Sequence, residues 1–372
     1  MTRLFLRMYT PLPKREPIVS FPLELEAERV EFTTAKNAGF ATLRVTFASE
    51  RARRRVYEAN GLTRAIAGVK GREHIELWAG RVVWEGQLTT VERDNGQPRS
   101  LDAEGYAVAL QERLYRPGKA NPAQLPAREI ILAAARTVPF IVLHPNDIPG
   151  PTATYPVKDF HELPTRDVIE KLVQPGDGDG VAWSYYVWEG PRLVTVRHEE
   201  PGQPDYVATR YEERVTFTPM LTRVTVQYQL KDEAGNQGSM RTPQLVNTSL
   251  ESDLGRQIER IVEAGTVTGL TASRYAAYLL GQHAGPLYSA KVGKNGLYGF
   301  GGRPVIPWLV RAGQWVQAGE EMYVIARTQF RDGELEVELG SPWPSEAELF
   351  RNLVSAVNRL QRRQLPLSGG RW

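Results

Sequence analysis

The chain has 372 residues, of which 41% are hydrophobic and 24% charged, and its formal net charge is only +3. That length predicts roughly two or three domains, and ordinary globular usage sets disordered and membrane-spanning classes aside. The near balance of 46 basic against 43 acidic residues argues against a dedicated nucleic-acid binder, and the absence of cysteine excludes disulfides, thiolate metal sites and a cysteine nucleophile.

No apolar run approaches the ~18 residues of a spanning helix. The longest, from Ile130 to Ala135, stops at Arg136. Near the start, Leu4-Phe5-Leu6 is cut by Arg7, too short for a signal-peptide core, so no stable membrane insertion is expected. Before residue 116 the pattern is mostly β. Ala41, Leu43, Val45 and Phe47 alternate with Thr42, Arg44 and Thr46, which predicts an antiparallel strand with one wet face. A short helix is expected over 50–60, ended by Gly61, followed by strands near 75–78 and 82–91 joined at Ala79-Gly80. Proline-rich and glycine-rich stretches at 116–126, 144–157 and 199–205 read as loops or linkers, because proline cannot continue a ladder or a helix.

Between the outer two stretches, 128–136 and 166–173 carry helical apolar spacing, the second through Val168, Ile169 and Leu172, and strands follow at 181–188 and 193–198. From Asp205 onward β returns, with Val224, Val226, Tyr228 and Leu230 on one strand face. Leu254, Ile258, Ile261 and Val262 fit a helix by spacing, although the β-branched cluster weakens that reading. A helix over 271–282 is expected with Thr271 as its N-cap. The sharpest local signal is Asp332-Gly333, a two-residue hairpin loop that pairs Phe330 with Leu335, Thr328 with Val337 and Ala326 with Leu339. The same register sets Arg331 opposite Glu334, Gln329 opposite Glu336 and Arg327 opposite Glu338, a charged row facing solvent or a channel. Ser345 and Glu348 form a capping box for a closing helix striped by Leu349, Leu353, Val357 and Leu360.

Chemistry-bearing motifs are weak. No two of the five histidines share a helical i, i+4 spacing, and His161-Glu162 is followed by Pro164, so no metal site is expected. The run 176–180 resembles half a calcium loop, but Val181 and Trp188 stand where oxygen ligands are needed. The glycine run 296–302 lacks a P-loop ending. Trp183, Tyr185, Tyr186 and Trp188 put aromatics on both faces of one strand, either a doubly buried strand or a stacking surface. Arg51, Arg54 and Arg55 share one helix side and suit a solvated or intersubunit face. No catalytic constellation or cofactor motif emerges, so the chain is expected not to be an enzyme and to need no cofactor.

Four segments in order carry a resemblance: GFATLRVTF with HIELWAGRVVWEG, then LTASRYAAYLLGQH, then VRAGQWV, then VIARTQFRDGELEVELGSPWPSEAELFRNL. Together they resemble the siphophage tail-tip hub proteins, relatives of the contractile-phage baseplate hub, most strongly over 39–110 and 270–360. The resemblance implies a mainly β chain with an α/β insertion (α+β): a first tube-like β-barrel (1–116), a middle α/β domain (117–204), a second tube-like barrel with a helical insertion (205–345), and a C-terminal helix and tail (346–372). It implies a homotrimer whose six barrels match the tail tube. Such a hub lies at the distal tail tip of the virion, is assembled in the host cytoplasm, and lines the DNA channel. Its implied partners are the distal tail protein, the tape measure protein and the tail-tip or fibre proteins, with transient non-specific contact with viral DNA. With little sequence after Arg363, no lytic or host-binding domain is expected. Leu365, Leu367 and Trp372 are expected to dock on another subunit or a neighbouring tail protein. The alternatives are a hexameric distal tail protein and, in another class, a carbohydrate-active enzyme using carboxylates with the 183–188 aromatics. A basic nucleic-acid binder ranks third.

Overall fold

The structure is a computed structural model that describes residues 4–23, 27–47, 71–94, 97–118, 123–177, 181, 183–199, 201–216, 220–231, 237–282, 287–293 and 296–340. The 50–60 helix with Arg51, Arg54 and Arg55, the closing helix, and Leu365, Leu367 and Trp372 lie outside the described residues. The described chain is mainly β, with few helices.

Seven strands open the fold: β1 (Phe5–Tyr9), β2 (Pro17–Pro22), β3 (Ala27–Ala35), β4 (Gly39–Phe47), β5 (His74–Trp78), β6 (Val82–Asp94) and β7 (Gln97–Glu104). Their antiparallel pairing runs β2-β1-β5-β6-β7-β4-β3. The alternation expected in β4 holds: Leu43, Val45 and Phe47 are buried while Thr42 and Arg44 are exposed. With Leu6, Met8, Ile75, Leu77 and Trp84 they form one apolar core. The β5–β6 turn uses Gly80 at φ 74, a left-handed conformation that glycine adopts without a Cβ penalty.

The middle unit holds β8 (Gln124–Pro126), α1 (Ala127–Ala135), β9 (Thr154–Pro156), α2 (Thr165–Val173), β10 (Trp183–Trp188) and β11 (Arg192–Arg197). Both helices begin directly after a proline, Pro126 and Pro164, where the ring ends the extended segment. Val168, Ile169 and Leu172 are buried, as their spacing predicts. Their core also takes in Tyr106, Leu110 and Tyr115, so the segment after β7 packs with the middle unit. Of the half-calcium run, Gly176 and Asp177 are described, and Asp177 acts as a hydrogen-bond acceptor for the backbone at 152–153. Its Oδ1 accepts from the Thr152 and Ala153 amides and from the Thr152 hydroxyl.

The last unit contains β12 (Tyr206–Ala208) and β13 (Glu212–Thr216), then an inserted sheet with two helices, then a return to the main sheet. The insert comprises β14 (Arg223–Lys231), β15 (Gln237–Arg241), β16 (Leu245–Val246), α3 (Thr248–Leu254), β17 (Glu259–Thr266) and α4 (Gly269–Gln282). Val224, Val226 and Tyr228 of β14 face α4 residues Ala272, Ala276 and Leu280 in a core of their own. The helix considered for 254–262 does not form. Gly255, at φ 60, ends α3, and the β-branched residues Ile258, Ile261 and Val262 lie on or beside β17, parallel to β14. Helix α4 starts two residues earlier than expected, and Thr268, not Thr271, is its cap, accepting from the Thr271 amide. Thr271 instead donates to the buried Asp159 of the middle unit, which also accepts from the Thr268 amide and hydroxyl.

The chain ends its described course with β18 (Leu287–Val292), β19 (Leu297–Gly299), β20 (Arg303–Pro304), β21 (Trp315–Ala318), β22 (Glu321–Arg331) and β23 (Glu334–Gly340). The glycine run 296–302 supplies strand β19 and the turn, residues 300–302, that leads into β20. Strands β22 and β23 pair in the expected register from Arg331↔Glu334 to Arg327↔Glu338. Beyond that a bulge at Ala326 moves Leu339 opposite Ile325. On its other edge β22 pairs with β3, from Arg331↔Glu31 to Arg327↔Ala35, so the first and last units share one continuous sheet. Phe32 and Phe330 stack across that seam at 4.9 Å. Among the described residues the strand pairing does not close into a ring: no ladder joins β2 to β3.

Asp332 and Gly333 have φ 50 and 87, the paired positive values of a two-residue hairpin turn. Asp332 Oδ1 also accepts from the Val30 amide at 2.8 Å, tying the turn to β3. Asp332→Ala should therefore cost about 1–2 kcal/mol, from the lost hydrogen bond and from the poorer fit of alanine to positive φ. Asp332→Asn should retain most of the stability. Urea denaturation of the two variants checks this: equal losses would mean that the turn does not depend on the side-chain acceptor.

Candidate functional site

Because β22 sits between β3 and β23, its outward residues continue across several strands. Registers set Asp102 of β7 beside Arg44 of β4, Arg44 beside Glu31 of β3, Glu31 beside Arg331, and Arg331 beside Glu334. A second row runs Glu212, Lys291, Glu338, Arg327 across β13, β18, β23 and β22. Both rows alternate in sign at every strand. Arg44 also reaches Asp102 Oδ1 at 3.6 Å and Glu92 Oε2 at 3.5 Å, and Lys291 pairs with Glu336. Arg327, Arg331, Glu334 and Glu338 are exposed and Glu336 is half-buried, whereas Phe330, Leu335, Val337 and Leu339 are buried beneath them. The result is a broad sheet face of alternating charge, on which the seven named carboxylates outnumber the four named cations. Exposed pairs of this kind contribute only tenths of a kcal/mol to about 1 kcal/mol each, and the face offers no net positive charge with which to hold a polyanion.

A second arrangement is buried. His74 and Glu76 lie two residues apart on β5, hence on one face, and Glu85 of β6 stands directly opposite Glu76. All three are almost fully buried. His74 Nε2 is 3.1 Å from Glu76 Oε1 and 3.6 Å from Glu85 Oε1. The remaining polar atoms are held from outside. His74 Nδ1 is 2.7 Å from the Tyr106 hydroxyl, Tyr9 donates to Glu76 Oε2 at 3.2 Å, and the Gly190 amide donates to Glu85 Oε2 at 2.7 Å. The Arg15 guanidinium donates to Glu76. Burial, with the nearby Glu76 charge, pushes the Glu85 carboxyl up to about 7 against the Gly190 hydrogen bond. Burial pulls His74 down. Burial also pushes Glu76 upward, but hydrogen bonds from His74 and Arg15 outweigh it and hold this carboxyl below its usual range.

Helical i, i+4 spacing of histidines does not find this cluster, because its donors lie on two paired strands. Strand spacing and the Gly80 turn were the available signals: together they place position 76 across from position 85.

No family model matches the sequence, and no curated protein matches it. The fold, by contrast, has counterparts among solved structures. The 43 kDa tail protein of prophage MuSo2 from Shewanella oneidensis superposes with a TM-score of 0.56 at 12% identity, covering 91% of this chain and 98% of that one. A tail protein from Neisseria meningitidis MC58 gives 0.54 at 12% identity, covering 93% and 99%. Prophage tail protein gp18 from Listeria monocytogenes EGD-e gives 0.51 at 10% identity, covering 97% and 99%. The fold is that of phage tail proteins.

Within this tail-protein fold the aromatic strand β10 is a core element. Trp183, Tyr185 and Tyr186 are buried, and Trp188 lies half-buried against Phe40 at 5.1 Å between ring centres. Sugar stacking, the basis of the carbohydrate-enzyme alternative, therefore has no exposed aromatic platform on β10. The charge ladder makes its own prediction. Arg331→Glu would face Glu31 and Glu334 with like charge on both sides, and should lower unfolding stability by about 1–2 kcal/mol at low salt. In about 1 M salt, where screening extends only about 3 Å, most of that loss should disappear. A loss that is the same at both salt concentrations would mean that the row is not electrostatically coupled.

Proposed function

We propose that this chain is a structural protein of a phage tail that forms the hub at the distal end. The observation that carries this reading is the near full-length likeness of fold to three tail proteins, over 91–97% of the chain. In this reading residues 1–116 and 205–345 act as two tube-type barrel units, linked by 117–204 and followed by 346–372. The shared β3–β22 seam supports it, because it fuses the first and last units side by side, as two adjacent positions of a ring would require. Three chains then present six units to the tail tube.

The charge ladder would line the channel. Phosphate binding draws on net positive charge and counterion release; alternating rows supply little of either, which suits a duct through which DNA must pass without adhering. Distal tail protein, tape measure protein and tail-tip or fibre proteins are the partners in this reading, and the protein resides at the distal tip after assembly in the host cytoplasm. Gold-labelled antibody against the chain, applied to intact particles and viewed by electron microscopy, tests the assignment. Label at the tail end remote from the head supports it, whereas label on the head or along the tube contradicts it.

A further inference from the structure

The buried His74–Glu76–Glu85 cluster brings two carboxyl groups and one imidazole together on paired strands. Among the described residues one guanidinium, that of Arg15, bonds to this pair of carboxyl groups, and Glu85 Oε1 is buried without a hydrogen-bond partner, 3.6 Å from His74 Nε2. Leaving a buried carboxylate oxygen uncompensated is costly. We propose that His74 Nε2, Glu76 and Glu85 form a binding site for a divalent transition metal of the zinc class, with Arg15 as the group displaced on binding.

The geometry supports this assignment in three ways. First, one donor atom from each residue lies within 4.8 Å of the other two. A tetrahedral ion with bonds of about 2.0–2.1 Å separates its ligand atoms by about 3.3 Å, and the 3.1 and 3.6 Å separations from His74 Nε2 bracket that edge. Second, each ligand is oriented through its other polar atom, His74 by Tyr106, Glu76 by Tyr9 and Glu85 by Gly190. Such outer partners fix the imidazole so that one nitrogen is left free for the metal. Third, the donors sit on two paired strands, β5 and β6, so little rearrangement is needed to assemble them. Arg15 differs from the three ligands: its side chain is 43% exposed, so it can swing into solvent when an ion takes its place. One imidazole with two carboxylates favours zinc or its neighbours over calcium, which needs six to eight oxygen donors.

The test uses the full chain, stripped with a chelator and then desalted. Isothermal titration with Zn²⁺ should give one ion per chain. His74→Gln and Glu85→Gln should each weaken binding at least tenfold, whereas Arg15→Ala should bind as tightly as the parent or more tightly. Co²⁺ bound to the unmodified chain should show the strong visible absorption of four-coordinate cobalt, a readout independent of whether the variants fold. Absence of uptake by the parent chain overturns the proposal. So does uptake unchanged in His74→Gln and Glu85→Gln, Co²⁺ absorption typical of a hydrated six-coordinate ion, or loss of binding in Arg15→Ala.

Discussion

Replacing Gly39 by alanine should destabilise the protein by roughly 3–5 kcal/mol, among the largest losses available to a single methyl group. Gly39 has φ +86, and a Cβ there would lie 2.3 Å from the Val187 carbonyl oxygen and 2.6 Å from its nitrogen. Both contacts are with backbone, which cannot rotate away. The neighbouring hydrogen bonds explain why the approach is so close. The Val187 amide donates to the Ala38 carbonyl, and the Tyr185 amide donates to Asn37 Oδ1. The turn between β3 and β4 is therefore clamped onto β10, and this clamp sets the middle unit against the first sheet. Gly71 is the control. Its φ is +88, but among the described residues nothing lies within 4 Å of its would-be Cβ, so Gly71→Ala should cost only about 1 kcal/mol of backbone strain. Chemical denaturation of the two variants separates strain from collision; equal losses would mean that β10 does not press on Gly39.

The second large effect depends on pH. His198 is fully buried, with Nε2 at 2.9 Å from the Ser184 hydroxyl, while its Nδ1 has no hydrogen-bond partner among the described residues. Burial, helped by the positive charge of Lys36, pulls its pKa from 6.5 to about 3. The unfolded chain takes up a proton near 6.5 that the folded state refuses. The stability contributed by the neutral ring is thus complete above 6.5 and is lost as pH falls toward 3. At pH 5 the loss from this group amounts to about 2 kcal/mol, at 1.36 kcal/mol per pKa unit. His198→Gln removes the titration, so the stability gap between parent and variant should change by about that amount between pH 7.5 and 5. A gap that does not vary with pH would show that His198 titrates normally in the folded protein.

Local signals were legible where one face met water. β4, the β5–β6 turn at Gly80 and the Asp332-Gly333 hairpin combine period-two alternation with turn residues that tolerate positive φ, and each formed as its residues indicate. Helices α1 and α2 were equally plain, because proline marks their starts and their buried stripes are continuous. The segment 258–262 fits a helix by spacing, but its β-branched side chains and the parallel partner β14 favour a strand. The seam between β3 and β22 joins residues about 300 positions apart, and no local pattern encodes such pairing. The charge ladder depends on that seam. Its β22–β23 rung follows from the hairpin, but the continuation to Glu31, Arg44 and Asp102 could not be read without it. The buried cluster was hidden for another reason: a histidine and two glutamates look like ordinary surface residues until both faces of β5 prove to be covered.

The trimer is the central claim, since two units per chain have meaning in a sixfold tail only if three chains assemble. Native mass spectrometry of the purified full chain measures it directly. The account predicts a species of three times the 41.8 kDa chain mass. A monomer, or a hexamer as expected of a distal tail ring, would contradict it.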